Sequence, residues 1–244
     1  MDLKILYEDE DILAIDKPAG LVVHSDGRTD EPNVVRWFVS KYPNSKDVGE
    51  NVELQSGEES ETLIERSGVV HRIDRETSGV LLLAKSDKGF KYLKRQFKDR
   101  EISKTYHLFV HGLVKQDHGS INLPIGRSAS DFRKWSAERG ARGEKREALT
   151  YYRVLQRVSD SNATFVEAKP KTGRTHQIRV HFKALHHPVV GDKLYASSKS
   201  SLFNFHRLAL HARGIKFKNT SGEEISVESP YPEDFKRAIE ACKE

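Results

Sequence analysis

The chain has 244 residues, one cysteine, a formal net charge of +5, and 36% hydrophobic against 32% charged residues. That length suffices for one larger domain or two small ones, and the lone Cys242 excludes a disulfide framework and a four-cysteine zinc site. The opening MDLKILYEDED lacks the basic and apolar regions of a secretion signal and no run approaches a membrane span, so the expected setting is a reducing cytoplasm without a membrane partner.

In chain order, Ile12–Ile15 form a short apolar strand that Pro18-Ala-Gly20 punctuates. Residues 34–43 space Val34, Val35, Trp37 and Phe38 as on one helix face. Residues 44–66 carry Asp47, Glu50, Glu53, Glu58, Glu59, Glu61 and Glu65 against Lys46 and Arg66, and few apolar groups, which predicts a mobile acidic loop. The stretch VVHRIDRETSGVLLLAK (69–85) predicts two strands around a charged turn. Residues 87–99 are an amphipathic helix with Phe90, Leu93 and Phe97 inward, and 102–112 alternate like a strand. Residues 147–158 and 163–170 predict paired strands, and a helix opens after the Gly173 turn. Late strands at RGIKFK and EISVESP precede a C-terminal helix begun at Pro232. Strands and helices mix without regular alternation, so the fold class is α+β with a mixed, mainly antiparallel sheet and flanking helices.

Three clusters carry chemistry. Asp74 sits in the turn between apolar runs, flanked by Arg72 and Arg75. A neighbouring guanidinium holds such a carboxylate ionised, as a nucleophile or base requires; surface ion pairs around a turn give the same pattern. In KTGRTHQIRVH (171–181), Arg174 and His176 present donors from a loop and Arg179 falls in the helix's first turns, suited to a phosphate or a buried carboxylate. Cations there oppose the helix dipole, so something negative must compensate. Residues 127–146 hold seven basic against three acidic residues, with Phe132 and Trp135 interleaved. Arg133, Lys134, Arg142 and Lys145 then read as an RNA-binding surface, or the segment is a flexible solvated loop. Histidine pairs five apart diverge by roughly 140° on a helix, so no metal site is expected.

Taken together these stretches resemble the RluA-type family of pseudouridine synthases. The resemblance rests on DKPAGLVVH (16–24), VHRIDRETSGVLLLAK (70–85), KTYHLFVHG (104–112), TGRTHQIRVHFKALHHPVVGD (172–192), RLALHARGIKF (207–217) and SPYPEDF (229–235), in order along nearly the whole chain. It implies a single catalytic domain over residues 1–244, with a central cleft and without the small N-terminal RNA-binding domain of many relatives. It also implies an isomerase that converts specific uridines of structured ribosomal or transfer RNA to pseudouridine, without cofactor or metal.

Position by position, the resemblance assigns Asp74 as the catalytic aspartate. It assigns Tyr106 as the tyrosine that stacks on the target base and can take its ring-carbon proton, and Arg179 as the basic partner of the carboxylate. Ile178 corresponds to the apolar residue against the uracil, and Arg72 to an arginine that fills the gap left by a flipped nucleotide. Arg174, His176 and Gln177, in the segment closing the site, count with the substrate-binding residues. A monomer is expected. The competing reading is a catalytically inactive RNA-binding protein on the same scaffold.

Overall fold

The computed structural model describes residues 1–25, 31–49, 52–56, 60–64, 66–138 and 141–242. In chain order the first elements are β1 (Lys4–Glu8), β2 (Ile12–Lys17), α1 (Val34–Lys41), β3 (Val52–Ser56), β4 (Ser60–Ile64), β5 (Ser78–Ala84) and α2 (Asp87–Lys98). Then follow β6 (Ser103–His111), β7 (His118–Asn122), β8 (Ile125–Arg127), β9 (Trp135–Ser136), β10 (Arg142–Arg146), β11 (Leu149–Val158) and β12 (Ala163–Pro170). Last come α3 (Gln177–Ala184), β13 (Leu210–Lys218), β14 (Glu224–Glu228) and α4 (Glu233–Ala241). The chain divides into two compact units, residues 1–102 with 214–229, and 103–213 with 230–244.

In the first unit β2 pairs antiparallel with β1 on one side and β5 on the other, Leu13 opposite Leu83 and Ile15 opposite Leu81. Ile12–Ile15 of β2 and the whole of β5 are buried, as central strands covered on both faces must be. Helix α2 starts where the Ser86 hydroxyl accepts from the Gly89 N–H at 3.1 Å, with Asp87 in its first turn and Arg95 and Lys98 in its last. Its Phe90 and Leu93 join Ile12, Val80, Leu82, Ile215 and Phe217 in one core, with Phe97 packed at its edge.

Two expectations change here. Of the apolar runs in 69–85 only the second is a strand; residues 70–77 are held by loop bonds, and Val69 makes a single bridge to Leu83. Within 44–66, expected as a loop, the backbone of β3 and β4 pairs as an antiparallel hairpin, Val52 opposite Ile64. Residues 50, 51, 57–59 and 65 of that stretch lie outside the described residues.

In the second unit the strands run β6-β12-β11-β7, each pair antiparallel. Phe109 and Phe165 stack at 4.6 Å between ring centroids within a core shared with Leu108, Phe182, Phe205 and Phe235. Each such phenylalanine contributes about 1.5–3 kcal/mol by burial. Residues 127–146 are not merely a flexible loop. Strands β10, β8 and β9 form a small antiparallel sheet in that order, based on a cluster of Ile125, Ala148, Val180 and Tyr195. The class is α+β, and each strand pairing described above is antiparallel, in keeping with the mixed, mainly antiparallel sheet expected from the sequence.

Candidate active site and RNA-binding surface

Asp74 opens a tight turn in the first unit, its carbonyl accepting from the Thr77 N–H at 3.1 Å. Ahead of it, His71 Nε2 accepts from the Leu82 N–H at 2.9 Å, a bond that a pairing strand would otherwise make. Behind it, Lys17 is 0% exposed and its ammonium donates to the carbonyls of Pro18 and Leu21, both at 2.8 Å, and of Arg75 at 3.0 Å. The Gly20 N–H adds a bond to the same Arg75 carbonyl at 2.8 Å. The lysine thus staples the Pro18–Leu21 loop to the turn that carries Asp74. The Arg75 side chain donates to the Gly20 carbonyl at 3.2 Å and pairs with Glu31. Asp74 is half-buried and Arg72 exposed.

The other assigned residues lie in the second unit. Tyr106, on β6 opposite Ala168 of β12, is half-buried and packs against that unit's core. Lys104 lies two residues earlier on the same strand and so points to the same face. Its ammonium donates to the Thr172 carbonyl at 3.3 Å, and burial, then the nearby Lys171 charge, push its pKa down to about 8. Gln177 is spent on structure. Its Oε1 accepts from the Thr172 hydroxyl (2.8 Å) and the Arg174 N–H (3.0 Å), and its amide donates to Leu149 and Thr150 (both 3.0 Å). Ile178 is 6% exposed and lies in the core. Arg174 donates to the Glu147 carbonyl at 3.0 Å. His176 holds a left-handed backbone, φ 56°, and its Nδ1 lies 2.9 Å from the Tyr195 hydroxyl.

Arg179 meets the compensating anion that its place in α3 demands. Its Nε and Nη2 donate to the two carboxylate oxygens of Asp192 at 2.7 and 2.9 Å. The Leu194 and Tyr195 N–H groups donate to the same carboxylate at 2.9 and 3.0 Å. The guanidinium also lies over the Tyr195 ring, 5.0 Å from its centroid. Gly191, at φ +71°, makes this possible, because a Cβ there would stand 2.0 Å from the Arg207 carbonyl oxygen. Asp192, Tyr195, Lys17 and Lys104 were not singled out from sequence. The requirement for a negative group at the start of α3 was the available pointer to Asp192.

Of the four basic residues assigned to RNA, Arg133 and Lys134 approach Asp131, at 3.0 and 3.7 Å. The Arg133 hydrogen bonds hold the Asp131 carboxyl down at about 2. Arg142 and Lys145 lie on β10, whose five residues are all exposed. The structure therefore places Asp74 and Arg72 in one unit, and the remaining assigned residues in the other. Among the described residues no group of three His, Cys, Asp or Glu could hold a metal ion, and no helix is long and apolar enough to cross a membrane.

A family model described as RNA pseudouridylate synthase matches residues 11–184. The chain belongs to the RNA pseudouridylate synthase family. An RNA pseudouridine synthase of Synechocystis, itself uncharacterized, is 37% identical over 241 residues, covering 97% of this chain and 68% of that protein. Ribosomal large subunit pseudouridine synthase D of Xanthomonas campestris is 35% identical over 254 residues, covering 99% and 70%. Among solved structures, human RNA Pseudouridylate Synthase Domain Containing 1 superposes with a TM-score of 0.73 at 26% identity, covering 99% of this chain and 87% of that one. The RluA-type resemblance, the fold and the activity expected from the motifs therefore hold: this is an RNA pseudouridine synthase, an isomerase acting on RNA. An inactive RNA-binding protein is not favoured.

Proposed function

We propose that this synthase modifies uridines of large-subunit ribosomal RNA, with Asp74 as its catalytic carboxylate. The observation that carries the role of Asp74 is the buried Lys17 staple, which spends a desolvated ammonium on fixing the turn that presents it. Ribosomal RNA is favoured over transfer RNA because relatives at 35%, 34% and 33% identity are named for the large ribosomal subunit.

The chemistry balances within one nucleotide. The bond from ribose C1′ to N1 breaks, the uracil turns, and C1′ joins C5; the C5 proton leaves and N1 ends protonated. Atoms and oxidation level are conserved, so no co-reactant is needed. Asp74 serves by attacking the sugar, attacking the ring, or deprotonating the sugar on the way to a glycal. Tyr106 stacks on the base and takes the C5 proton. Arg179 supplies positive charge to the anionic intermediates, held in its rotamer by Asp192. Arg72 fills the gap of the flipped nucleotide, and Arg174, His176, Gln177 and Ile178 shape the wall of the substrate pocket, Gln177 by tying α3 to β11. Arg133, Lys134, Arg142 and Lys145 neutralise phosphates and offset the few kcal/mol that base extrusion costs. Residues 1–244 act as one catalytic domain, as a monomer; the buried, unbridged Cys242 suits a reducing cytoplasm.

The test is a large-subunit rRNA transcript mapped for pseudouridine after treatment. Wild type should mark discrete uridines, and Asp74→Asn should mark none while binding RNA within a few-fold of wild type. Full turnover by Asp74→Asn refutes its role. Tight binding without pseudouridine from wild type refutes the enzyme, and modification of tRNA alone refutes the target.

A further inference from the structure

The small sheet separates two aromatic residues that the sequence treats alike. Arg142 of β10 stands opposite Arg127 of β8, and Arg127 stands opposite Trp135 of β9. Residues directly opposite share a face, so the three side chains form a row. The Arg127 guanidinium covers the Trp135 ring, 4.3 Å from its centroid. The Trp135 backbone N–H donates to the Tyr195 hydroxyl at 2.9 Å, and its side chain packs on the cluster of Ile125, Ala148, Val180 and Tyr195. Trp135 is thereby occupied by its own protein.

Phe132 is the opposite case. It is 84% exposed, the most exposed large apolar side chain among the described residues. Its loop is nevertheless built. The Ser128 N–H donates to the Lys134 carbonyl at 3.0 Å, the Lys134 N–H to the Asp131 carbonyl at 2.9 Å, and Arg127 Nη1 to the carbonyl of Phe132 itself at 3.2 Å. An ordered loop that holds a phenyl ring in water forgoes the burial that a polar residue would not need. Around it lie Arg133 and Lys134, and across the sheet the exposed Arg142, Lys145 and Arg146. Two arginines directly opposite repel unless an anion joins them. A π-face set among cations suits a nucleobase with its phosphates, because every base offers a face to stack on.

We propose that Phe132 stacks on an unpaired base of the RNA substrate, and that Arg127 is a positioning residue that presents it while facing a phosphate with Arg142. The inference rests on the RNA-modifying role proposed above and adds a contact to the substrate outside the reacting uridine. Phe132 therefore acts on binding and on the choice of looped RNA, leaving the chemical step unchanged.

The probe is a stem-loop RNA with 2-aminopurine in its loop, beside a blunt duplex of the same stem. Stacking quenches 2-aminopurine, so wild type should quench the loop signal, and Phe132→Ala should not. Phe132→Ala should weaken stem-loop binding by about 5- to 150-fold, the span of about one to three kcal/mol for a lost stack. Duplex affinity and the salt slope should hold, and KM on the rRNA transcript should rise at constant kcat. Phe132→Trp should restore binding to within about twofold, as any stacking ring does. Arg127→Lys keeps the charge but loses the planar cover on Trp135 and should also relieve the quench. The proposal is overturned if Phe132→Ala quenches and binds like wild type, if it weakens loop and duplex equally, or if it weakens only binding to anionic lipid vesicles. A wild type that makes no pseudouridine yet quenches the loop would sink the enzyme reading and leave this contact standing.

Discussion

Removing the Asp192 carboxylate is the sharpest test of how the second unit is held. Asp192 is 2% exposed and Arg179 is 9% exposed, so the bidentate pair at 2.7 and 2.9 Å is shielded from water. The same carboxylate receives the Leu194 and Tyr195 N–H groups. In Asp192→Ala the Nε and Nη2 donors lose the anion they point to, and two backbone donors lose their acceptor. Breaking a buried ion pair costs about 3–5 kcal/mol, and unmet donors add to this only in part because the loop relaxes. At roughly 2 °C per kcal/mol for a chain of this length, melting should fall by about 6–10 °C. Asp192→Asn keeps an acceptor for the two N–H groups and should fall by about half as much. Calorimetry reads the loss, and pseudouridine formation at a temperature where both variants are folded reads the positioning of Arg179. An Asp192→Ala protein that melts within a degree or two of wild type, with unchanged turnover, would refute the claim that this pair orients Arg179.

Other outcomes follow from the same geometry. Lys17→Met takes the ammonium from the Pro18 and Leu21 carbonyls beside a 0% exposed site and leaves the Arg75 carbonyl with the Gly20 N–H. It should cost about 3–5 kcal/mol and lower turnover by releasing the Asp74 turn; urea melts and an rRNA assay check both. Lys104 has its pKa pushed down to about 8 from 10.5. Between those values the unfolded chain binds more protons, so this group's contribution to stability rises with pH across the window, and its full penalty stands below pH 8. Lys104→Met should therefore raise melting temperature at pH 7 more than at pH 10. Its ceiling is about 3 kcal/mol, less to the extent that water reaches the half-buried side chain. Equal shifts at both pH values would show that the ammonium is not held against its solvation. Neutralising Arg133, Lys134, Arg142 and Lys145 together should flatten the slope of log K against log salt by roughly two to three, short of four full contacts because Asp131 already engages two of them. An unchanged slope would move the RNA surface elsewhere.

What the sequence made legible was whatever a local period could express. Helix α2 carries its whole case within thirteen residues: a Ser86 cap, Phe90, Leu93 and Phe97 on one face, and cations at its end. The β11–β12 pair shows its alternation just as plainly. The misreadings share one cause, bonds made across the chain. Val69 and Val70 open an apolar run that reads as a strand, yet His71 takes the Leu82 N–H through its ring, and the backbone there follows the side chains of the unit around it. In 44–66 the count of acids hid the backbone pairing of β3 with β4. Asp192 stands thirteen positions from Arg179, beyond any helical or strand repeat.

The two arginine-rich stretches illustrate how differently the fold uses the same residue type. Arg179 is enclosed with a dedicated carboxylate and an aromatic face, so its charge is fixed in direction as much as in sign. Arg142, Lys145 and Arg146 stand exposed on β10. An enclosed guanidinium cannot pivot to follow a flexible polyanion; solvated ones can, and they gain from releasing its counterions. The first arrangement suits a step in which charge develops at one place, the second suits holding a long RNA in many registers. If the target uridine is extruded from a structured RNA, as proposed above, both arrangements have a use. On the proposed reading, the exposed cations would supply binding free energy over many phosphates, and the fixed guanidinium would act once the base has left its stack.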